Sequence, residues 1–348
     1  MKLRLGLVIV SLLLSILIGF SLSHSGGGKA GGAGGRLKIG FSMDTLKEER
    51  WLKDRDLFTA KVKELGCDVV VHEAGSNDQQ QVRDVESLIT QRVDVLVIVP
   101  HDGKVMAEGV RKAHDAGIPV IAYDRIINDC DLDLYVTFDN VKVGELQAKY
   151  LLDHLPTPGK GKIVRVYGSP TDFNAKLFKQ GQDNVLKPAI DRGDIQVVHE
   201  DWAQDWSPTN AKKIANSAIS KAGRDFTGLL ASNDGTAGGA IQALKEEGLD
   251  GKIIVTGQDA DLVACQRIAA GTQGMTVYKP LEKLALRAAE FAVEMAKRRP
   301  VIVKGAVNNG QREVPSVLLE IIAVDKGNLD EILVGKVAGY TRETVYGK

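Results

Sequence analysis

From Leu37 onward the chain alternates between short apolar runs and longer amphipathic stretches. The runs Leu37–Phe41, Asp68–Val71, Val93–Val99, Pro119–Tyr123 and Leu134–Thr137 are partly β-branched and predict strands. Between them, Leu46–Leu65, Asp78–Gln91 and Lys104–Ala116 carry apolar residues at i, i+3, i+4 spacing and predict helices. The same beat then restarts. Strands are predicted at Lys162–Tyr167, Ile195–His199, Gly228–Ala231, Ile253–Thr256 and Met275–Tyr278. They alternate with helices at Val143–Leu155, Phe173–Asp191, Thr209–Ala222, Gly235–Glu247 and Leu262–Ala270. A long helix over Pro280–Lys297, a strand over Val317–Val324 and a polar tail complete the pattern. Continuous apolar strands separated by helices need cover on both faces, which is the signature of parallel sheets. Two such arrays in succession predict an α/β protein of two Rossmann-like lobes whose strand ends meet at a crevice.

Ahead of this pattern, Lys2 and Arg4 precede the apolar run Leu5–Leu22, the arrangement of an export signal. The run has about the 18–20 residues that a membrane span needs, and Ser21-Leu22-Ser23 is a poor cleavage site. A cleaved signal peptide over 1–24 is therefore expected, with an uncleaved signal anchor as the alternative; either places the rest outside the cytoplasm. With no cysteine near its end, the run carries no lipid-attachment signal. Ser25–Arg36, SGGGKAGGAGGR, reads as a flexible linker, because a nucleotide-binding glycine loop needs a strand before it and a helix after it.

The chain's 348 residues are enough for two domains, and its 45 basic and 45 acidic residues cancel. No global field recommends nucleic acid or an anionic membrane as a partner. Cys67, Cys130 and Cys265 lack C-x-x-C spacing, so buried free thiols are expected rather than a zinc site or disulfide framework. The six histidines are scattered, and no zinc-protease, serine-hydrolase or phosphate-loop motif occurs in context. No catalytic centre, metal or cofactor is expected.

The candidate chemistry lies at the strand ends, where ligands bind in open α/β sheets. Met43-Asp44 and then Glu49-Arg50-Trp51 follow the first strand, and Asp124-Arg125 follows the fourth. In the second array Asp172 and Asn174 follow Tyr167, Trp202 and Trp206 follow His199, and Asn233-Asp234 follows Ala231. Gln258-Asp259 and Lys279 close the series. Carboxylates, amides and cationic donors in one crevice suit a small neutral ligand whose hydroxyls both donate and accept. Trp51 and Trp206 offer flat apolar faces for a sugar ring.

Each position also has a plainer reading. Asp124-Arg125 alone reads as a surface ion pair. Trp51 and Trp206 fit a core equally well. Asp234 is expected as the helix N-cap beside Asn233, Asp172 has a similar capping option, and Lys279 could simply start a helix. Asp54, Arg55 and Asp56 read as a solvated helix face.

The segments KIGFSMDTLKEERWLKDRD, VIAYDRIIND, GSPTDFNAKLF, ASNDGTAGGAIQAL, TGQDADL and IAAGTQGMTVYKP together resemble the type I periplasmic binding proteins of sugar ABC transporters, and within them the xylose branch. The resemblance runs from about Leu37 to the C-terminus. It implies two lobes joined by a three-segment hinge, the first built from 37–140 plus about 281–315 and the second from 141–280 plus about 316–348. It also implies that Arg50, Trp51, Asp124, Arg125, Asp172, Asn174, Trp206, Asn233, Asp259 and Lys279 contact the sugar. The chain departs from the family's Asp-Asn-Asn at Phe173, between two implied contacts. The implied activity is capture of D-xylose or a related aldose, without chemistry, for delivery to an ABC transporter permease; a membrane sensor kinase is the alternative partner. A sugar-responsive repressor would need an N-terminal DNA-binding domain where this chain has its apolar run and glycine linker.

Overall fold

A computed structural model of the chain describes residues 36–347. The expected signal segment, and the linker apart from Arg36, lie outside the described residues. The first sheet contains β1 (Lys38–Met43), β2 (Asp68–Glu73), β3 (Val95–Ile98), β4 (Val120–Tyr123), β5 (Leu134–Phe138), β11 (Gly305–Asn308) and β12 (Glu313–Leu319). Their order is β11-β12-β5-β4-β3-β1-β2, parallel throughout except for β11. Every residue of β3, β4 and β5 is buried, as unbroken apolar strands require when both faces are covered. Helices α1 (Glu49–Glu64) and α9 (Leu281–Ala296) pack with Phe41, Val97, Tyr123 and Val136 on one face. Helices α2 (Asp78–Thr90) and α3 (Ala107–Asp115) pack with Leu96, Ile98 and Ala122 on the other.

The second lobe is built around the parallel sheet β7-β6-β8-β9, formed by β6 (Gly161–Tyr167), β7 (Ile195–Trp202), β8 (Gly228–Ala231) and β9 (Ile254–Val255). Helices α4 (Asn140–His154) and α5 (Phe173–Asp191) cover one face, and α6 (Pro208–Ala222) and α7 (Asp234–Glu246) the other. Helix α8 (Leu262–Ala270) leads to β10 (Met275–Tyr278), which pairs antiparallel with β13 (Ile322–Asp325). The chain passes between lobes after β5, after β10 and after β12, which makes the three-segment hinge. In both parallel sheets the strand order reverses beside the first strand, at β1/β3 and β6/β8, so both switch points face the crevice.

Several expectations need correcting. The single strand over Val317–Val324 is two strands in different lobes, because the apolar run hides a crossing at Glu320-Ile321. The first lobe's sheet accordingly continues to Leu319, slightly past the boundary near 315. Strand β11 carries only one strong apolar residue, Val307, and left no run to recognise. The polar tail folds into α10 (Leu329–Ile332) and α11 (Arg342–Tyr346), burying Leu329, Leu333, Tyr340 and Val345 against Ala260, Cys265 and Ile268. The three cysteines are buried. No described helix is long and apolar enough to cross a membrane.

Two glycines set how closely α4 and α5 approach. A Cβ on Gly181 would lie 1.9 Å from the Val141 carbonyl oxygen, and one on Gly144 would lie 2.0 Å from that of Phe178. This contact matters for the crevice, because Asp172 is the N-cap of α5. The buried amide of Gln147, on α4, donates to the carbonyls of Ser232 and Gly257, both at 3.0 Å, next to Asn233 and Gln258-Asp259. Gly181→Ala should therefore force the helices apart and cost about 1–3 kcal/mol of stability. Chemical denaturation checks this; an unchanged midpoint would contradict the close packing.

Candidate functional site

All ten residues named from the sequence line one cavity between the lobes, together with Glu48, Phe178 and Gln258. The cavity encloses about 320 Å³ of atom-free space, counting its open mouth. Each lining side chain comes from the segment just past a strand's C-terminal end or from the helix that follows it.

Arg50, in the first turn of α1, is 4% exposed and has three carboxylate partners. Its Nε lies 3.1 Å from Asp54 Oδ2, its Nη2 2.8 Å from Asp124 Oδ2 and its Nη1 3.4 Å from Asp259 Oδ1. The last partner belongs to the opposite lobe. Arg125 does the same, with Nη1 2.6 Å from Asp44 Oδ2 and Nε 2.9 Å from Asp172 Oδ2 across the crevice. The Trp51 ring sits within reach of both guanidinium groups, 4.2 Å from that of Arg50 and 5.2 Å from that of Arg125. Asp124 and Arg125, adjacent in sequence, thus turn to different partners, and the surface ion-pair reading does not hold.

The backbone at Asp124 is held under strain. Its φ of 63° is left-handed, and three donors fix its carbonyl: Tyr135 Oη at 2.9 Å, Thr137 Oγ1 at 2.7 Å and Asn174 Nδ2 at 2.9 Å. Asn174 also accepts from Tyr135 Oη and Asn140 Nδ2, so its amide braces the turn from the second lobe. Asp259 has a φ of 96° and is held between Arg50 and Lys279, whose Nζ is 2.9 Å from its Oδ1. Lys279 is 2% exposed, which removes the surface reading. It stands at the second crossing between lobes.

In the second lobe, Asp172 does both things the sequence allowed. It caps α5 by accepting from Asn174 N at 2.9 Å, and it accepts from Trp206 Nε1 at 3.1 Å while pairing with Arg125. Trp206 lies so close to Gly168 that a Cβ there would meet its ring at 2.0 Å. The N-cap of α7 is Asn233, not Asp234. Thr236 completes a capping box with Asn233, whereas Asp234 is the first helical residue and accepts from Gln273 and Thr276. Because Asn233 Oδ1 is committed to the cap, a ligand would meet its Nδ2. Asp54 is likewise no surface residue: it is 0% exposed and bonded to Arg50 and the Tyr123 hydroxyl.

These contacts form a buried lattice of alternating charge, with Arg50, Arg125 and Lys279 against Asp44, Asp54, Asp124, Asp172 and Asp259. Carboxylates outnumber cations, so the cavity favours a ligand that donates hydrogen bonds. Burial pushes the Asp124 carboxyl up, but Arg50 and then Lys279 more than offset it, holding the group below its ordinary range. Asp172 ends above that range because burial outweighs Arg125. For Asp44, burial is outweighed by His101, whose Nδ1 is 2.8 Å away, and by Arg125. Phe178 was hidden from sequence reading inside a helix, and Gln258 was overshadowed by Asp259. Glu48 sits in the loop before α1, with no apolar pattern to mark it.

Burial raises the Asp54 carboxyl to about 6, against 3.8 for the free group. A carboxyl raised on folding binds its proton more tightly in the folded state. The stability it contributes is full below the unfolded pKa and is lost as pH rises from about 4 through 6. Relative to Asp54→Asn, the wild type should lose on the order of 3 kcal/mol over that window. Unfolding measured at several pH values checks this; a pH-independent difference between the two proteins would contradict it.

Comparison with known proteins agrees with this architecture. The periplasmic binding protein domain family matches residues 39–300. The D-xylose-binding periplasmic protein of Escherichia coli K12 is 49% identical over 298 residues, covering 86% of this chain and 89% of that protein. The D-xylose-binding periplasmic protein of Haemophilus influenzae is 47% identical, covering 89% of this chain and 92% of its own length. Among solved structures, a carbohydrate transporter solute-binding protein from Chloroflexus aurantiacus, in complex with D-glucose, superimposes with a TM-score of 0.81 at 30% identity. That match covers 90% of this chain and 99% of the other. With a family match across most of its length and relatives near half identity, the chain belongs to the periplasmic binding protein family.

Proposed function

We propose that this protein captures D-xylose in the cavity between its lobes and delivers it to the permease of an ABC transporter in the membrane. The observation that carries this reading is the cavity itself: a charge-rich site between the lobes with two indole walls, in a chain 49% identical to a D-xylose-binding periplasmic protein. In this reading Asp124, Asp172 and Asp259 accept from sugar hydroxyls, while Arg50, Arg125, Lys279 and Asn233 donate to them. Asn174 holds Asp124 in place at the sugar's edge. Trp51 and Trp206 face the apolar C–H surfaces of the ring. No bond is made or broken. Selectivity arises because closure excludes water, so a missing or misplaced hydroxyl leaves a buried group unpaired at about 1–3 kcal/mol.

Closure and binding are one event in this account. Arg125 meets Asp172, and Arg50 meets Asp259, only when the strand ends of the two lobes come together. A sugar that bonds to both sides adds its own contacts to these pairs and shifts the hinge equilibrium toward the closed form.

Asp259→Asn tests the assignment while preserving side-chain volume. Calorimetry should give one D-xylose per wild-type chain and at least about tenfold weaker binding by the variant, as expected for loss of a charge-assisted hydrogen bond. Near-normal affinity in a folded variant would remove Asp259 from the site.

A further inference from the structure

Two acceptor oxygens in the cavity wall are enclosed and have no hydrogen-bond partner within the protein: Glu48 Oε2 and Gln258 Oε1. No other buried, unpartnered side-chain atom among the described residues belongs to the cavity lining. Buried polar atoms are nearly always paired, and an unpaired one in a binding cavity marks where a partner is expected.

The neighbouring carboxylates are in a different condition. Asp124 is held by Arg50 and Asn174, Asp172 by Arg125, Trp206 and the Asn174 backbone, and Asp259 by Arg50 and Lys279. Glu48 Oε2 and Gln258 Oε1 can only accept, so what meets them must donate. They also come from opposite sides of the crevice. Glu48 immediately precedes α1 in the first lobe, and Gln258 follows β9 in the second.

Building on the sugar-binding reading, we propose that Glu48 and Gln258 are two further ligand contacts, each accepting a hydrogen bond from a sugar hydroxyl. They help determine specificity because a ligand lacking the matching hydroxyl leaves a buried oxygen orphaned. They lie one on each lobe, so a single sugar satisfies both only in the closed form. The same orphaned atoms penalise closure without a ligand, which keeps capture dependent on the sugar.

The test is calorimetry on the intact protein with D-xylose and with analogues that each lack one of its hydroxyls. Glu48→Ala and Gln258→Ala should each bind D-xylose about tenfold or more weakly. For each variant, one analogue should bind as it does to wild type, because the hydroxyl and its acceptor form a single pair. Glu48→Gln, which keeps an acceptor oxygen, should recover part of the loss and serves if the alanine variant melts early. A purely structural role would instead weaken every analogue by the same factor, and that pattern overturns the proposal. So does binding of D-xylose by both alanine variants within about twofold of wild type. If wild type itself fails to bind D-xylose, the sugar reading falls and this inference with it; wild-type binding with indifferent variants overturns this inference alone.

Discussion

Two buried guanidinium groups govern this molecule. Arg50 and Arg125 are each held by carboxylates from both lobes, away from water. A buried charge is tolerable only when it is paired, and removing one partner from such a lattice is far more costly than removing a surface ion pair. The lobes are therefore not free to meet at any angle. They meet where Asp259 reaches Arg50 and Asp172 reaches Arg125, and this geometry shapes the cavity.

The rest of the fold serves that alignment. The parallel sheets bring polar strand ends to a common crevice, and the glycine-mediated contact between α4 and α5 sets the height of the turn bearing Asp172 and Asn174. Gln147 ties down the turns at Ser232 and Gly257. Lys279, at a crossing between lobes, joins the hinge directly to Asp259. Phe173, the departure from the family pattern, packs against the first lobe's core from the second, adding an apolar contact to the charged ones. Closure thus engages ionic, polar and apolar contacts together, which favours two discrete states over a continuum of partly closed forms.

Much of this was legible in the sequence because parallel strands are nearly pure apolar runs and the polar residue after each run is conspicuous. All ten candidate residues stood out in this way, and resemblance to the sugar-binding family singled out Trp51 and Trp206 as contacts where position alone left them equally suited to a core. Partner choice was not legible. Nothing local says that Asp124 turns to Arg50 rather than to its neighbour Arg125, or that Asp54 is buried by Tyr123 and Arg50 rather than solvated. Those facts depend on contacts between residues distant in sequence. The cap of α7 was misassigned because Asn233 and Asp234 both suit the position, and only Thr236, three residues on, selects Asn233. The tail's folding was obscured because its few apolar residues bury against a surface supplied by α8.

The central claim is that sugar bridges the lobes and closes them onto the Arg50 and Arg125 pairs. Small-angle X-ray scattering of the protein with and without saturating D-xylose tests it directly. The account predicts that the sugar reduces the radius of gyration and brings the scattering into agreement with the closed geometry described above. Identical profiles in the two conditions, with binding verified in the same sample, would contradict it.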